Sequence, residues 1–168
     1  MAIQIKKART PRGFARIFWR LPIWLYRLHL GWLLQKRFLL LTHTGRKSGL
    51  PRKTMLEVIR YEKAKEQYTV FSGWGERSDW VKNIEKTPQV IIQVGHRSLH
   101  ARAIRPSSEE AETILLAYAR KYPPRLIRFF FGLLGYQTNG TEEDIRSIAR
   151  QSTIVTFEVR SACTVRKA

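Results

Sequence analysis

The chain has 168 residues, 43% of them hydrophobic, with 8 Phe, 6 Tyr and 5 Trp. That is enough apolar material to bury one core, and it excludes a disordered chain. Lys and Arg number 31 against 13 Asp and Glu, a formal net charge of +18. Such a balance calls for an anionic partner: nucleic acid, an anionic membrane surface or an acidic small molecule.

The excess is uneven. Residues 1–56 hold 13 Lys and Arg and no acidic residue, whereas from Glu57 onward 18 basic side chains face 13 acidic ones. Cys163 is the only cysteine, which rules out an intramolecular disulfide and fits a reducing compartment. The start of the chain lacks the apolar run and small-residue cleavage site of a secretory signal. The expected location is therefore cytoplasmic, with peripheral attachment to the inner face of the cell membrane.

That attachment is expected from residues 12–34. Arg12, Arg16 and Arg20 recur on one helical face, with Phe14, Ile17, Phe18 and Leu21 on the other, and Pro22 ends or kinks the helix. The run is too interrupted by Arg and His to span a bilayer. Two readings stand on this pattern: a helix lying in an anionic membrane surface, or a helix packed on its own domain with its arginines in water.

Strand signals follow at Phe38–Thr44, Arg52–Ile59 and Gln67–Ser72. Ser78 is placed to cap a short helix running to Lys86, with Asp79 in its first turn and Trp80 and Ile84 on one face. Gln89–Val94 and Ser98–Arg105 read as a hairpin joined through Gly95-His96-Arg97. Ser107 and Glu110 form a capping-box signal for a helix with Ala111, Ile114, Leu115, Tyr118 and Tyr122 inward. Pro123-Pro124 ends that helix, and the aromatic cluster Phe129-Phe130-Phe131 follows. A Thr141-capped helix comes next, with Ile145 and Ile148 inward, and Thr153–Arg160 closes as a strand. Strands mostly in series with helices set apart predict an α+β fold with a largely antiparallel sheet or barrel.

Two stretches can carry chemistry. The first is Gly45-Arg46-Lys47-Ser48-Gly49 with Arg52 and Lys53 just beyond. It lacks the spacing and the following helix of a Walker A loop, so it is a strand-to-strand loop. Its glycines can bring backbone N–H groups together while the side chains add charge, which makes an anion site; a solvated basic turn is the alternative. The second is 72-SGWGERSDW-80, where exposed backbone beside tryptophans can hold a planar heterocycle, or where two buried tryptophans simply pin a loop. His29, His43, His96 and His100 have no Cys or carboxylate at ligand spacing, so no metal site is expected.

The blocks LTHTGRKSG-x-PRKTML, YTVFSGWG and DWVKNI, the last ahead of a PQVIIQVG strand, resemble the deazaflavin-dependent nitroreductase and quinone reductase family over roughly Leu39 to Arg105. The resemblance implies a split β-barrel over residues 38–168, behind a basic amphipathic segment at 1–37. It also implies coenzyme F-420, an 8-hydroxy-5-deazaflavin whose tail carries a phosphate and a chain of glutamates. By motif position, Arg46, Lys47, Ser48 and Arg52 would hold the tail. Lys53, Thr54, Met55 and Leu56 would lie along the coenzyme, and Val70, Phe71, Ser72, Gly73, Asp79, Trp80, Val81, Lys82 and Asn83 would line the ring. Met55 stands where the family often has Pro, and Glu57 where some relatives have Tyr.

The implied activity is hydride transfer from the reduced coenzyme to a small-molecule acceptor such as a quinone, nitro compound or enone. Ser72, Tyr118 and Tyr136 are the candidates for the accompanying proton. Three readings compete with this one: an FMN- or haem-binding split barrel, against which the Arg-Lys-Ser-Gly loop argues; a non-catalytic module on a membrane surface; and a nucleic-acid binder, for which no reading motif is present.

Overall fold

In the computed structural model the described residues are 37–73 and 75–160. The expected membrane-facing helix at 12–34 lies outside them, as do Trp74 and Cys163. Among the described residues the strands are β1 (Phe38–Thr44), β2 (Pro51–Glu62), β3 (Gln67–Ser72), β4 (Gln89–Val94), β5 (Arg97–Ile104) and β6 (Thr153–Val159). The helices are α1 (Asp79–Lys86), α2 (Ser108–Ala119), α3 (Pro124–Leu133) and α4 (Glu142–Gln151). A 3-10 turn at Gly75–Arg77 precedes α1.

The strands close into a barrel in the order β1-β2-β3-β6-β5-β4, every neighbouring pair antiparallel. The split-barrel, α+β expectation is what the chain adopts. Closure removes the free edges of an open sheet. Alternation along each strand then sorts side chains into two cores. Leu39, Leu41, Leu56, Tyr68, Val70, Val90, Ile92, Leu99, Val155 and Phe157 fill the interior, joined by Trp80, Val81 and Ile84 of α1. Ile59 and Ile154, with Phe71 against them, point outward from β2, β6 and β3 and carry α2, α3 and α4 through Ile114, Leu115, Ile127, Phe131, Ile145 and Ile148.

One irregularity changes the phase along β2. The β2–β3 register slips between Val58 and Arg60, so Ile59 is an extra residue. Val58 faces the interior and Ile59 the helices, and the bulge restores phase so that Tyr61 stacks on Tyr68, ring centroids 4.6 Å apart.

Several local expectations are refined. The Gly95-His96 turn has two residues, since Arg97 already pairs with Val94. Ser107 caps α2 by accepting from the Glu110 N–H at 3.2 Å, but the Glu110 carboxylate turns to Arg60 instead of completing the box. Ser78 occupies the N-cap of α1 without capping it; its hydroxyl meets Ser72 Oγ at 2.9 Å. Pro123-Pro124 both stops α2 and opens α3, because Pro124 sits where a missing N–H costs nothing.

Candidate cofactor site

The β1–β2 loop closes on itself. The Gly45 N–H donates to the Leu50 carbonyl and the Gly49 N–H to the Gly45 carbonyl, both at 2.8 Å, and Gly49 adopts φ +67°. The two glycine N–H groups therefore shape the loop and are not open to an anion.

The loop is fixed to α1 through Asn83, which is 4% exposed. Its Oδ1 accepts from the Arg46 backbone N–H at 3.0 Å and from Arg46 Nη1 at 3.1 Å. Its Nδ2 donates to His43 Nδ1 at 3.0 Å, which leaves the His43 Nε2–H to donate to Thr54 Oγ1 at 3.3 Å. Arg46 Nη2 pairs with Asp79 Oδ1 at 2.9 Å, and Lys86 Nζ donates to the Arg46 carbonyl at 3.0 Å. Asp79, Asn83 and Lys86 can do this together because they follow one another at i, i+4 and i+7 on one helical face.

This network divides the expected tail residues. Arg46 is answered by Asp79 and Asn83. Lys47, Arg52 and Lys53 are exposed, and among the described residues they have no acidic partner. Arg52 lies opposite His43 and Lys53 opposite Thr42, so the two cations leave β2 on opposite faces. Ser48 stays in the loop, its Oγ accepting from the Leu50 N–H at 3.4 Å.

Lys53, Met55 and Glu57 share the outward face of β2. Four residues of strand put Glu57 about 13 Å beyond Lys53. There Glu57 accepts from the Tyr118 hydroxyl at 2.9 Å and pairs with Arg37 Nε at 3.3 Å. The aromatic side of the site continues with Phe71, edge-on to Phe131 at 5.8 Å and 6.4 Å from Tyr136. Gly73 sits so close to Leu134 that an added Cβ would come within 2.4 Å of its Cδ2, so any larger residue there would push the Leu134 side chain aside. The residues Leu56, Val70, Trp80 and Val81 turn their side chains into the barrel core. Of these, a ligand on the outer face meets only main chain. Lys82 is exposed on α1.

The three proton candidates sit in different surroundings. The Ser72 hydroxyl is buried and committed to the Gly75 carbonyl at 3.0 Å and to Ser78. Tyr136 is buried, which raises its phenol. Tyr118 is half-buried; burial first, then the Glu57 charge, push its phenol well above the usual range, so it keeps its proton at neutral pH. His43 moves the other way. Burial and the nearby Arg52 charge hold its imidazole below the ordinary 6.5, with Asp79 opposing.

A closed antiparallel barrel, with a fixed basic loop at the start of β2 and an aromatic, titratable cluster about Glu57 further along the strand, defines a protein of the split-barrel class. The family model of the F420H(2)-dependent quinone reductase matches residues 20–125, more than half of the chain. The chain belongs to that family and is by family an oxidoreductase; the family's description names the reduced deazaflavin coenzyme. No curated protein matches the sequence.

A solved domain-swapped dimer is 21% identical with a TM-score of 0.50, over 86% of this chain and 99% of that one, a likeness of fold. A structure described as an F420-H2 dependent reductase (FDR-A) is 23% identical with a TM-score of 0.49, over 76% of this chain and 96% of that one. An FMN-binding, pyridoxamine 5'-phosphate oxidase-related protein from Nostoc punctiforme is 13% identical with a TM-score of 0.48, over 83% of this chain and 78% of that one.

Two outcomes follow from the network. Asn83→Ala strands buried groups on His43 and Arg46 and is expected to lower stability by roughly 1–3 kcal/mol in urea unfolding; an unchanged midpoint would refute the clamp. The unfolded chain takes up the His43 proton at a higher pH than the folded one, so His43's contribution is complete above about 6.5 and is lost as pH falls through the lower folded value. Unfolding midpoints followed downward from pH 7 should therefore fall more steeply for the native protein than for His43→Gln.

Proposed function

We propose that the protein binds reduced coenzyme F-420 and catalyses its reaction with an organic acceptor, a quinone being the first candidate and nitro compounds and activated enones the others. The observation that carries this reading is the trio Lys47, Arg52 and Lys53, cations held by a rigid loop and strand with no protein counter-charge among the described residues. A site of that kind is completed by an anionic ligand, and a phosphate followed by several carboxylates suits its spread. The residues present fit the coenzyme on this ground.

In the bound state the deazaflavin supplies a hydride from its ring carbon. Lys47, Arg52 and Lys53 bind the tail, and Ser48 offers its hydroxyl beside them. Arg46 holds the loop in place through Asp79 and Asn83. Met55 and the main chain around Phe71–Gly73 border the ring, with Asp79 and Lys82 at the exposed start of α1. The acceptor takes up a proton along with the hydride, and Tyr118 is assigned that donation. It is the least enclosed of the three hydroxyl candidates. The protein is assigned to the cytoplasm, where it works on the inner face of the membrane.

Titration of the protein into the fluorescent coenzyme, followed by anisotropy, tests the reading. Absence of binding at low micromolar protein and low salt overturns it, and binding of FMN in its place would favour the flavin alternative. Lys47→Ala with Arg52→Ala and Lys53→Ala should weaken the long-tailed coenzyme tenfold or more, about 1.4 kcal/mol, and leave a tail-less deazaflavin nearly unaffected. Equal loss for both ligands would contradict the assignment. Tyr118→Phe should slow quinone reduction by about 100-fold at unchanged coenzyme affinity; unaltered turnover would remove Tyr118 as the donor.

A further inference from the structure

Five large apolar side chains are exposed among the described residues, and three of them share one short helix: Leu126 at 37%, Phe129 at 59% and Phe130 at 42%. That helix, α3, already has a buried stripe, Ile127 and Phe131, packed against the barrel. At 3.6 residues per turn, Phe129 points directly away from that stripe. Leu126 and Phe130 flank it on one side, and Arg125 and Arg128 on the other. Phe129 and Phe130 stack edge to face at 6.0 Å, which makes a convex apolar ridge.

The charge around this ridge has one sign. From Thr113 to Thr141 the sequence contains Arg120, Lys121, Arg125 and Arg128 and no Asp or Glu. Arg120 pairs with Glu142 of α4, whereas Lys121, Arg125 and Arg128 are exposed and have no acidic partner among the described residues. Exposed Phe at the crest with arginines alongside is the arrangement of a helix that lies in a lipid interface: rings enter the acyl boundary and guanidinium groups stay with the phosphates. A polyanion without an apolar layer, such as nucleic acid, would leave Leu126, Phe129 and Phe130 with no apolar partner.

We propose that α3 is a docking surface for an anionic lipid bilayer, inserted through Leu126, Phe129 and Phe130 and held by Lys121, Arg125 and Arg128. The inner side of the same helix supports the coenzyme site. Phe131 packs on Phe71, and Leu134, just past the helix end, packs on Gly73. Docking through α3 would thus set the Phe71–Gly73 border of the site next to the lipid, where a membrane-dissolved acceptor resides. The proposal concerns binding to lipid and stands whichever cofactor the barrel holds.

The test uses the full chain with vesicles of phosphatidylcholine alone or mixed with phosphatidylglycerol. Phe129→Ser with Phe130→Ser, and separately Arg125→Glu with Arg128→Glu, should each reduce co-sedimentation with anionic vesicles tenfold or more, with far-ultraviolet circular dichroism unchanged. A second measurement reads the ridge itself. Phe129→Cys in a Cys163→Ser background, labelled with an environment-sensitive fluorophore, should show a blue shift on adding anionic vesicles and none with neutral ones. Sedimentation without a blue shift would mean that other residues, such as the 1–36 segment, carry the contact, and would overturn the proposal. So would a blue shift that grows with protein concentration in the absence of lipid, which would make the ridge an interface between copies of the chain.

Discussion

The candidate site depends on one buried carboxamide. Asn83 must donate to His43 and accept twice from Arg46, and with 4% of it exposed there is no water to substitute for a missing partner. That requirement fixes the His43 tautomer and hands its other nitrogen to Thr54, so the end of β1, the start of β2, the loop between them and α1 hold one another in place. It also settles which cations are available. Arg46 is neutralised by Asp79 while anchoring the loop, and the charge left over at Lys47, Arg52 and Lys53 is exposed at the loop end of the barrel, with Arg52 and Lys53 on opposite faces of β2.

The barrel gives this frame its second end. Because side chains alternate along β2, Lys53, Met55 and Glu57 form a line on the outer surface while Thr54, Leu56 and Val58 serve the interior. Strict alternation would have continued the line past the helices. The Ile59 bulge instead sends two successive residues outward: Ile59 enters the helical core, and Arg60 pairs with Glu110 of α2 and Glu62 of its own strand. The bulge thereby fastens α2 where Tyr118 reaches Glu57. Basic pole and aromatic pole belong to one strand, and their separation is a property of strand rise rather than of loop conformation.

Much of this was legible in sequence, and the limits have physical causes. β1, β3, α1 and the β4–β5 hairpin carry strong local signals, namely apolar runs bounded by turn residues and a Ser-Asp helix start. The Ile59 bulge has no such signal, because only pairing with β3 reveals the extra residue. In sequence α3 shows only as an aromatic cluster, since Pro123-Pro124 signals an ending and not also a beginning. The basic loop was recognisable, but the division of labour within it was not: Arg46 and Arg52 look alike until α1 places Asp79 beside one of them. The i, i+4, i+7 spacing of Asp79, Asn83 and Lys86 was the available clue that α1 turns one polar face toward a partner. Ser78 looked like a cap because the rule considers only its own helix, whereas Ser72 across the loop competes for the same hydroxyl.

α3 carries apolar side chains on two faces, and only one of them has protein to cover it. Ile127 and Phe131 account for why the helix sits on the barrel; they do not require Phe129, which could be any polar residue without disturbing that packing. An exposed Phe with 59% of its surface in water incurs a hydration cost on every face it shows. Covering the ridge with lipid, as proposed, would remove that cost for Leu126, Phe129 and Phe130 together. On the two proposals the cations would answer two different needs. Those on the β1–β2 loop and β2 lie beside exposed backbone and polar side chains, as suits a small, highly charged ligand; those on α3 lie beside apolar rings, as suits an interface that is both oily and anionic.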